Sequence, residues 1–237
     1  MLITVVTIFP EMFPGPLSYS LCGKSLGQLW DLKAVNIRDF AEDKHHTVDD
    51  SPYGGGAGMI MKPDVVDRAL TAALSAYNGN PKIIFMTAGG SVFTNRVARD
   101  LMDGQDGLII LCGRYEGVDQ RVVDHWKTHH GMMEVSIGDY ILFGGEIPAM
   151  VVMDSCLRFL PGIMNNCDST VHESFEVDLL EYPQYTRPAV WNGVEVPSVL
   201  LSGNHKAIDG WRLEQSEIVT RSARPDLWRK RCSDDQV

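Results

Sequence analysis

Apolar residues along the first two thirds of the chain follow two alternating rhythms. Short β-branched runs read as strands: Leu2 to Phe9, residues 33–38, Ile83-Ile84-Phe85-Met86, Gly107 to Cys112 and Met133 to Ile137. Between them, spacings of three and four mark helices. From Lys62 to Tyr77, the residues Val65, Val66, Ala69, Leu70, Ala73 and Leu74 fall on one helical face. Pro63 and Asp64 stand where a helix N-terminus favours them. Further helices are predicted near 92–103, from Val118 to Trp126, and from Glu146 to Leu160. This alternation predicts an α/β fold with a mostly parallel sheet.

The texture changes after Pro161-Gly162. Residues 161–174 hold Pro, Gly, Asn, Asp, Ser and Thr with no periodic face, so they read as a flexible linker, expected to order on substrate binding. Beyond it, residues 205–222 and 225–231 look helical and little strand pattern remains. The predicted organisation is an α/β domain over 1–160, a linker over 161–174 and a small all-α domain over 175–237.

Composition narrows the class. The chain has 237 residues, 44% hydrophobic and 22% charged, which is ordinary for a globular protein. Cys22, Cys112, Cys156, Cys167 and Cys232 are scattered without a C-x-x-C pair, against both a disulfide scaffold and a zinc ribbon. The N-terminus opens directly as a strand, unlike a signal peptide. The apolar run Ile147–Leu157 is interrupted by Asp154 and Ser155 and is too short to span a bilayer. A cytoplasmic location is expected.

Charge complicates the choice of partner. With 21 Lys+Arg against 31 Asp+Glu, the formal charge is −10, which by itself disfavours a polyanion. Residues 205–231 reverse the sign, with seven basic against four acidic residues. That local +3 leaves −13 for the rest. Trp211 and Trp228 lie among these bases, as in a nucleic-acid-facing surface, although a solvated helical face has the same composition.

Several loops carry candidate chemistry. Residues 49–59, Asp-Asp-Ser-Pro-Tyr-Gly-Gly-Gly-Ala-Gly-Met, place four glycines in five positions, where a ligand can approach the backbone closely. Three predicted strand ends carry Thr87-Ala88-Gly89-Gly90, Gly113-Arg114-Tyr115-Glu116-Gly117 and Ser136 to Gly145. Open α/β sheets bind ligands at the carboxyl ends of their strands. Tyr115, Tyr140 and Leu142 suit the walls of an aromatic or thioether ligand. Gly23-Lys24-Ser25 lacks the upstream glycine of a phosphate-binding loop, and no G-x-G-x-x-G follows the first strand. His125 and His129 share i,i+4 spacing but have no matching ligand set, so a structural role is expected.

Taken in order, these strings resemble the bacterial tRNA (guanine-N1)-methyltransferases. The resemblance rests on Ile8-Phe9-Pro10-Glu11-Met12-Phe13, the Asp49–Met59 loop, Gly113–Gly117 and Ser136–Gly145. It extends to Arg158-Phe159-Leu160-Pro161-Gly162, Tyr185-Thr186-Arg187-Pro188 and Val199 to His205, nearly the whole chain. It implies a SPOUT-type domain with a C-terminal trefoil knot, S-adenosylmethionine bound in that knot, and a homodimer whose sites draw on both subunits. The implied reaction is methylation of N1 of guanine 37 in tRNA, with magnesium associated with activity.

Carried over by motif, the cofactor residues are Ala88, Gly113, Tyr115, Glu116, Ile137, Gly138, Asp139, Tyr140, Ile141, Leu142, Gly144, Gly145 and Pro148. The target guanine is expected at Asp50, Tyr53, Gly54, Gly55, Gly56 and Gly58. Arg158 matches the arginine placed near that base. The family's general base is an Asp just before Ser-Phe, and here Glu173 precedes Ser174-Phe175. Asp168 and Asp178 are the alternatives for that role. No metal ligands are assigned. Ala88 stands where the family has proline, and the acidic end Asp234-Asp235 predicts fewer distal tRNA contacts. Two other functions share these features: a knotted methyltransferase acting elsewhere on RNA, and a tRNA-binding module without chemistry.

Overall fold

The computed structural model describes residues 1–104, 106–164, 173–175 and 177–234. Its contacts divide the chain into two compact units, Met1–Asn165 and Asn166–Val237. Residues 165–172 of the expected linker lie outside the described residues. Leu160 and Ile163 still pack into the core of the first unit.

The first unit is built on five parallel strands: β1 (Leu2–Thr7), β2 (Asp31–Asn36), β5 (Lys82–Val92), β6 (Leu108–Cys112) and β7 (Met133–Ser136), in the order β2-β1-β6-β5-β7. Its helices are α1 (Ser20–Ser25), α2 (Pro63–Leu74), α3 (Asn95–Met102), α4 (Gln120–His130) and α5 (Glu146–Leu157). Each face of the sheet has its own core. Ile3, Val5, Ile84, Leu108, Ile110 and Cys112 pack with Ala98, Leu101 and the inward residues of α5. Val6, Ile83, Phe85, Ile109 and Leu111 pack on the other face with α2 and α4. A strand covered on both faces is apolar at every position, and all five residues of β6 are buried.

Two differences from the sequence reading bear on the site. The segment Thr87-Ala88-Gly89-Gly90 is not a turn, because β5 continues to Val92 with a register shift against β7 between Met86 and Ser91. Gly90 allows this, since a Cβ there would collide with the backbone of Val135. The glycine-rich loop is also bracketed by a short antiparallel pair, β3 (Asp49–Asp50) with β4 (Ile60–Met61). Helices end where caps dictate: Gly131 closes α4 in the left-handed conformation at φ 65°.

The second unit is not purely helical. It contains α6 (His205–Ala223) and α7 (Pro225–Asp234), but also the hairpin β8 (Val190–Trp191) with β9 (Val194–Glu195). Asn192 and Gly193, both at positive φ, form its two-residue turn. Asn204 caps α6 by accepting from the Ala207 amide. Thr220, fully buried on α6, accepts from the Leu180 amide at 2.8 Å and donates to the Ser216 carbonyl at 2.6 Å.

Candidate active site

The carboxyl ends of β5, β6 and β7, with the loops after β6 and β7, surround a cleft of about 270 Å³. Its walls include Ala88, Gly113, Tyr115, Glu116, Ile137, Gly138, Tyr140, Ile141, Leu142, Gly144, Gly145 and Pro148. Twelve of the thirteen expected cofactor residues thus meet in one place. The thirteenth, Asp139, is exposed in the same loop and does not line the cleft. Two loops form the rim, and backbone contacts join them: Gly145 N–H donates to the Gly113 carbonyl at 2.8 Å, and Arg114 bridges Gly144. Gly145 is required at that crossing, because a Cβ would stand 2.8 Å from Cys112 Cα.

The glycine-rich loop runs beside this cleft. Glu116 N–H donates to the Met59 carbonyl at 3.0 Å, and Met61 N–H donates to the Gly117 carbonyl at 2.9 Å. Within the loop, Gly54, Gly55, Gly56 and Gly58 all have positive φ, and Tyr53 is 99% exposed. Asp50 accepts from the Ser51 amide at 2.7 Å. The backbone is open at Gly54, Gly55 and Gly56, where an added Cβ would meet nothing within 4 Å, while the Glu116 side chain covers Gly58.

Arg158 caps the C-terminal end of α5 and is exposed there, on the stripe that also carries Ile147, Val151 and Asp154. Glu173 belongs to the second unit. There it lines a cavity of about 440 Å³ with Tyr182, Asp209, Arg212 and the apolar Val177, Leu179, Leu180 and Leu213. Of the alternatives to Glu173, Asp168 lies outside the described residues, while Asp178 is held by Lys230 Nζ at 2.6 Å.

The basic segment of the second unit is organised around aromatic rings. Arg212 lies over Tyr182, Arg221 over Trp228 and Arg224 over Phe175, at 5.0, 4.3 and 5.8 Å from the ring centroids. Trp211 meets both Tyr182 and Tyr185. Elsewhere, His125 and His129 stack on each other at 4.3 Å along α4.

Sequence reasoning passed over the charged network beneath the cleft. Arg114, itself in the cleft wall, donates through Nε to Glu146 at 2.8 Å, and Thr7 donates to the other oxygen of Glu146 at 2.7 Å. Glu146 is completely buried. The signal was present as a carboxylate in the first turn of α5, ahead of the apolar run Ile147 to Met153. Its fit to the helix dipole concealed it. Burial and Glu146 together hold the neighbouring Cys112 thiol well above its ordinary pKa, against the opposing pull of Arg114.

The first unit, a parallel sheet with a glycine-walled cleft at its carboxyl edge, defines an α/β class of protein with a ligand-sized site at the strand ends. The family model described as tRNA (Guanine-1)-methyltransferase TrmD matches residues 1–230. A tRNA (guanine-N(1)-)-methyltransferase of Wolbachia pipientis wMel is 54% identical over 228 residues, 95% of this chain and 94% of the relative. Its counterpart in Rhodospirillum rubrum is 52% identical over 225 residues, 94% and 91% of the two chains. That of Brucella ovis is 54% identical over 230 residues, 97% and 92%. The chain belongs to the bacterial tRNA (guanine-N1)-methyltransferase family, which is a family of enzymes.

Proposed function

We propose that the chain transfers a methyl group from S-adenosylmethionine to N1 of the guanine at position 37 of tRNA. The supporting observation is the stitching of the glycine loop to the cleft through Glu116–Met59 and Met61–Gly117. A donor site and a base-accepting loop thereby share one wall. The direct test is methyl transfer to a tRNA transcript carrying guanine at 37, with transfer lost when adenine replaces it.

The cleft residues fit the proposed donor. Aliphatic and aromatic side chains at Ile137, Tyr140, Leu142 and Pro148 suit an adenine ring, and Gly113 and Gly138 leave backbone groups accessible for hydrogen bonds. S-adenosylmethionine, when bound, supplies a methyl group activated by a sulfonium.

Guanine N1 carries a proton and attacks poorly until it is removed. Glu173 takes that proton. The cleft residues would hold the donor so that its methyl carbon could accept the freed N1 electron pair, with the carbon–sulfur electron pair leaving on the neutral thioether. Arg158 offsets the negative charge that develops on O6. Glutamate places its carboxylate one methylene further out than the family's aspartate, which a small backbone adjustment accommodates. Asp139 stays in this reading as a residue at the cofactor loop. The resemblance associates magnesium with activity. Among the described residues no group of three or more His, Cys, Asp or Glu side chains is arranged to hold a metal.

The reading extends to a trefoil knot formed by the loops around the cleft and to a cytoplasmic homodimer with sites shared between subunits. Among the described residues no helix is long and apolar enough to cross a membrane. The outward stripe of α5 supports a dimer. Ile147 and Val151 are 54% and 45% exposed there, an apolar pair beside the exposed Asp154 and Arg158. The cation–aromatic pairs of the second unit support tRNA as its ligand.

A further inference from the structure

Glu146 is wholly buried, and methyl transfer as derived above makes no use of it. Burying a carboxylate is costly unless it is paired and hydrogen-bonded. Here both oxygens are engaged, one by Thr7 Oγ1 and the other by Arg114 Nε. Thr7 Oγ1 also accepts from the Phe9 amide at 3.0 Å, and the Arg114 guanidinium lies 4.5 Å from the centre of the Phe9 ring. Arg114 Nη1 reaches the Phe143 carbonyl at 3.4 Å. Gly144 makes the room, since a Cβ there would collide with the guanidinium. The result is a cation fixed in the wall of a cleft.

That cation is a problem for the ligand proposed to bind there, because a sulfonium is also positive. An unbalanced guanidinium in a partly buried wall, with its side chain 19% exposed, would oppose it. We propose that Glu146 is a positioning and charge-balancing residue: it holds Arg114 across the two cleft loops and cancels its charge, so that a sulfonium is accepted. The inference rests on S-adenosylmethionine being the donor.

The substitution Glu146→Gln keeps an acceptor for Arg114 and a partner for Thr7 while removing the charge. S-adenosylmethionine and S-adenosylhomocysteine differ only in the methyl group and its positive charge, so their ratio of affinities separates charge from shape. Titration calorimetry on the full chain without tRNA is expected to show about a tenfold loss for S-adenosylmethionine and less than about threefold for S-adenosylhomocysteine. Arg114→Gln carries the opposite imbalance and should move the ratio the other way. The double variant should return it to the wild-type value. An unchanged ratio in these variants, or equal loss of both ligands, overturns the proposal. If Glu146→Gln does not fold, Arg114→Gln and the double variant decide on the same ratio. A wild-type chain that binds neither ligand overturns the donor reading itself, which distinguishes the two failures.

Discussion

The amide of Glu116 donates to the carbonyl of Met59 at 3.0 Å, and the Glu116 side chain fills the space that a Cβ on Gly58 would need. Gly58 also has φ +88°, a conformation that costs an L-residue about 1–2 kcal/mol. Gly58→Ala therefore strains the loop and displaces Glu116 from the shared wall. Methyl transfer should fall by at least about tenfold, since small misplacements of reacting groups are amplified in rate. Gly55→Ala is the control: at φ +80° it is strained as well, but its Cβ meets open space. Steady-state kinetics on both variants should show the larger loss at Gly58.

Replacement of Glu173 by Gln removes the proposed base with little change in shape. Turnover should drop to background while cofactor affinity, read by calorimetry, stays within about twofold of wild type. Near-wild-type kcat in this variant would move the role to another carboxylate.

Tyr77 joins the end of α2 to the sheet, donating to Thr4 Oγ1 at 2.8 Å beside the carbonyls of Leu2 and Leu108. Burial pushes its hydroxyl up to about 12, above an ordinary value of 10.0, with the hydrogen bond to Thr4 acting in the opposite direction. A raised folded-state pKa means the contribution is complete below pH 10 and is lost as pH rises towards 12. Tyr77→Phe should cost about 1–2 kcal/mol at neutral pH. In denaturant titrations the gap from wild type should narrow across that alkaline window.

Thiol reactivity offers a probe of the fold. Burial raises Cys22 to about 11, with Asp154 adding to the effect, and burial alone raises Cys156 to about 12. Cys112 is also held high in the core, whereas Cys232 is exposed on α7. Since thiolates are the reactive form, alkylation at pH 8 should label Cys232 well before Cys22, Cys112 or Cys156. Peptide mapping after brief iodoacetamide treatment checks this, with unfolded protein as the reference.

What the sequence made legible follows from periodicity. Leu108 to Cys112 reads as a strand because a sheet covered on both faces demands five apolar residues in a row, and α2 reads as a helix because only one of its faces is buried. Gly89-Gly90 imitates a turn, yet it serves a close strand crossing that only the position of Val135 reveals. Strands of two residues, such as Val190–Trp191, are too short to show a period, and only Asn192-Gly193 signals them. In the site, Gly54–Gly58, Gly113–Gly117 and Ser136–Gly145 were legible as glycine-rich segments, while the ligands expected there come from the family resemblance alone. The Thr7–Glu146–Arg114 network joins residues more than a hundred positions apart, which no local pattern encodes.

The central claim is tested most directly by mapping the product. An unmodified tRNA transcript bearing guanine at 37 is incubated with the full chain and S-adenosylmethionine, and the methylated nucleoside is located by mass spectrometry of nuclease fragments. The account predicts a single methyl group on N1 of guanine 37. A methyl group on another nucleotide or ring atom, or none with a folded chain that binds both cofactor and tRNA, would contradict it.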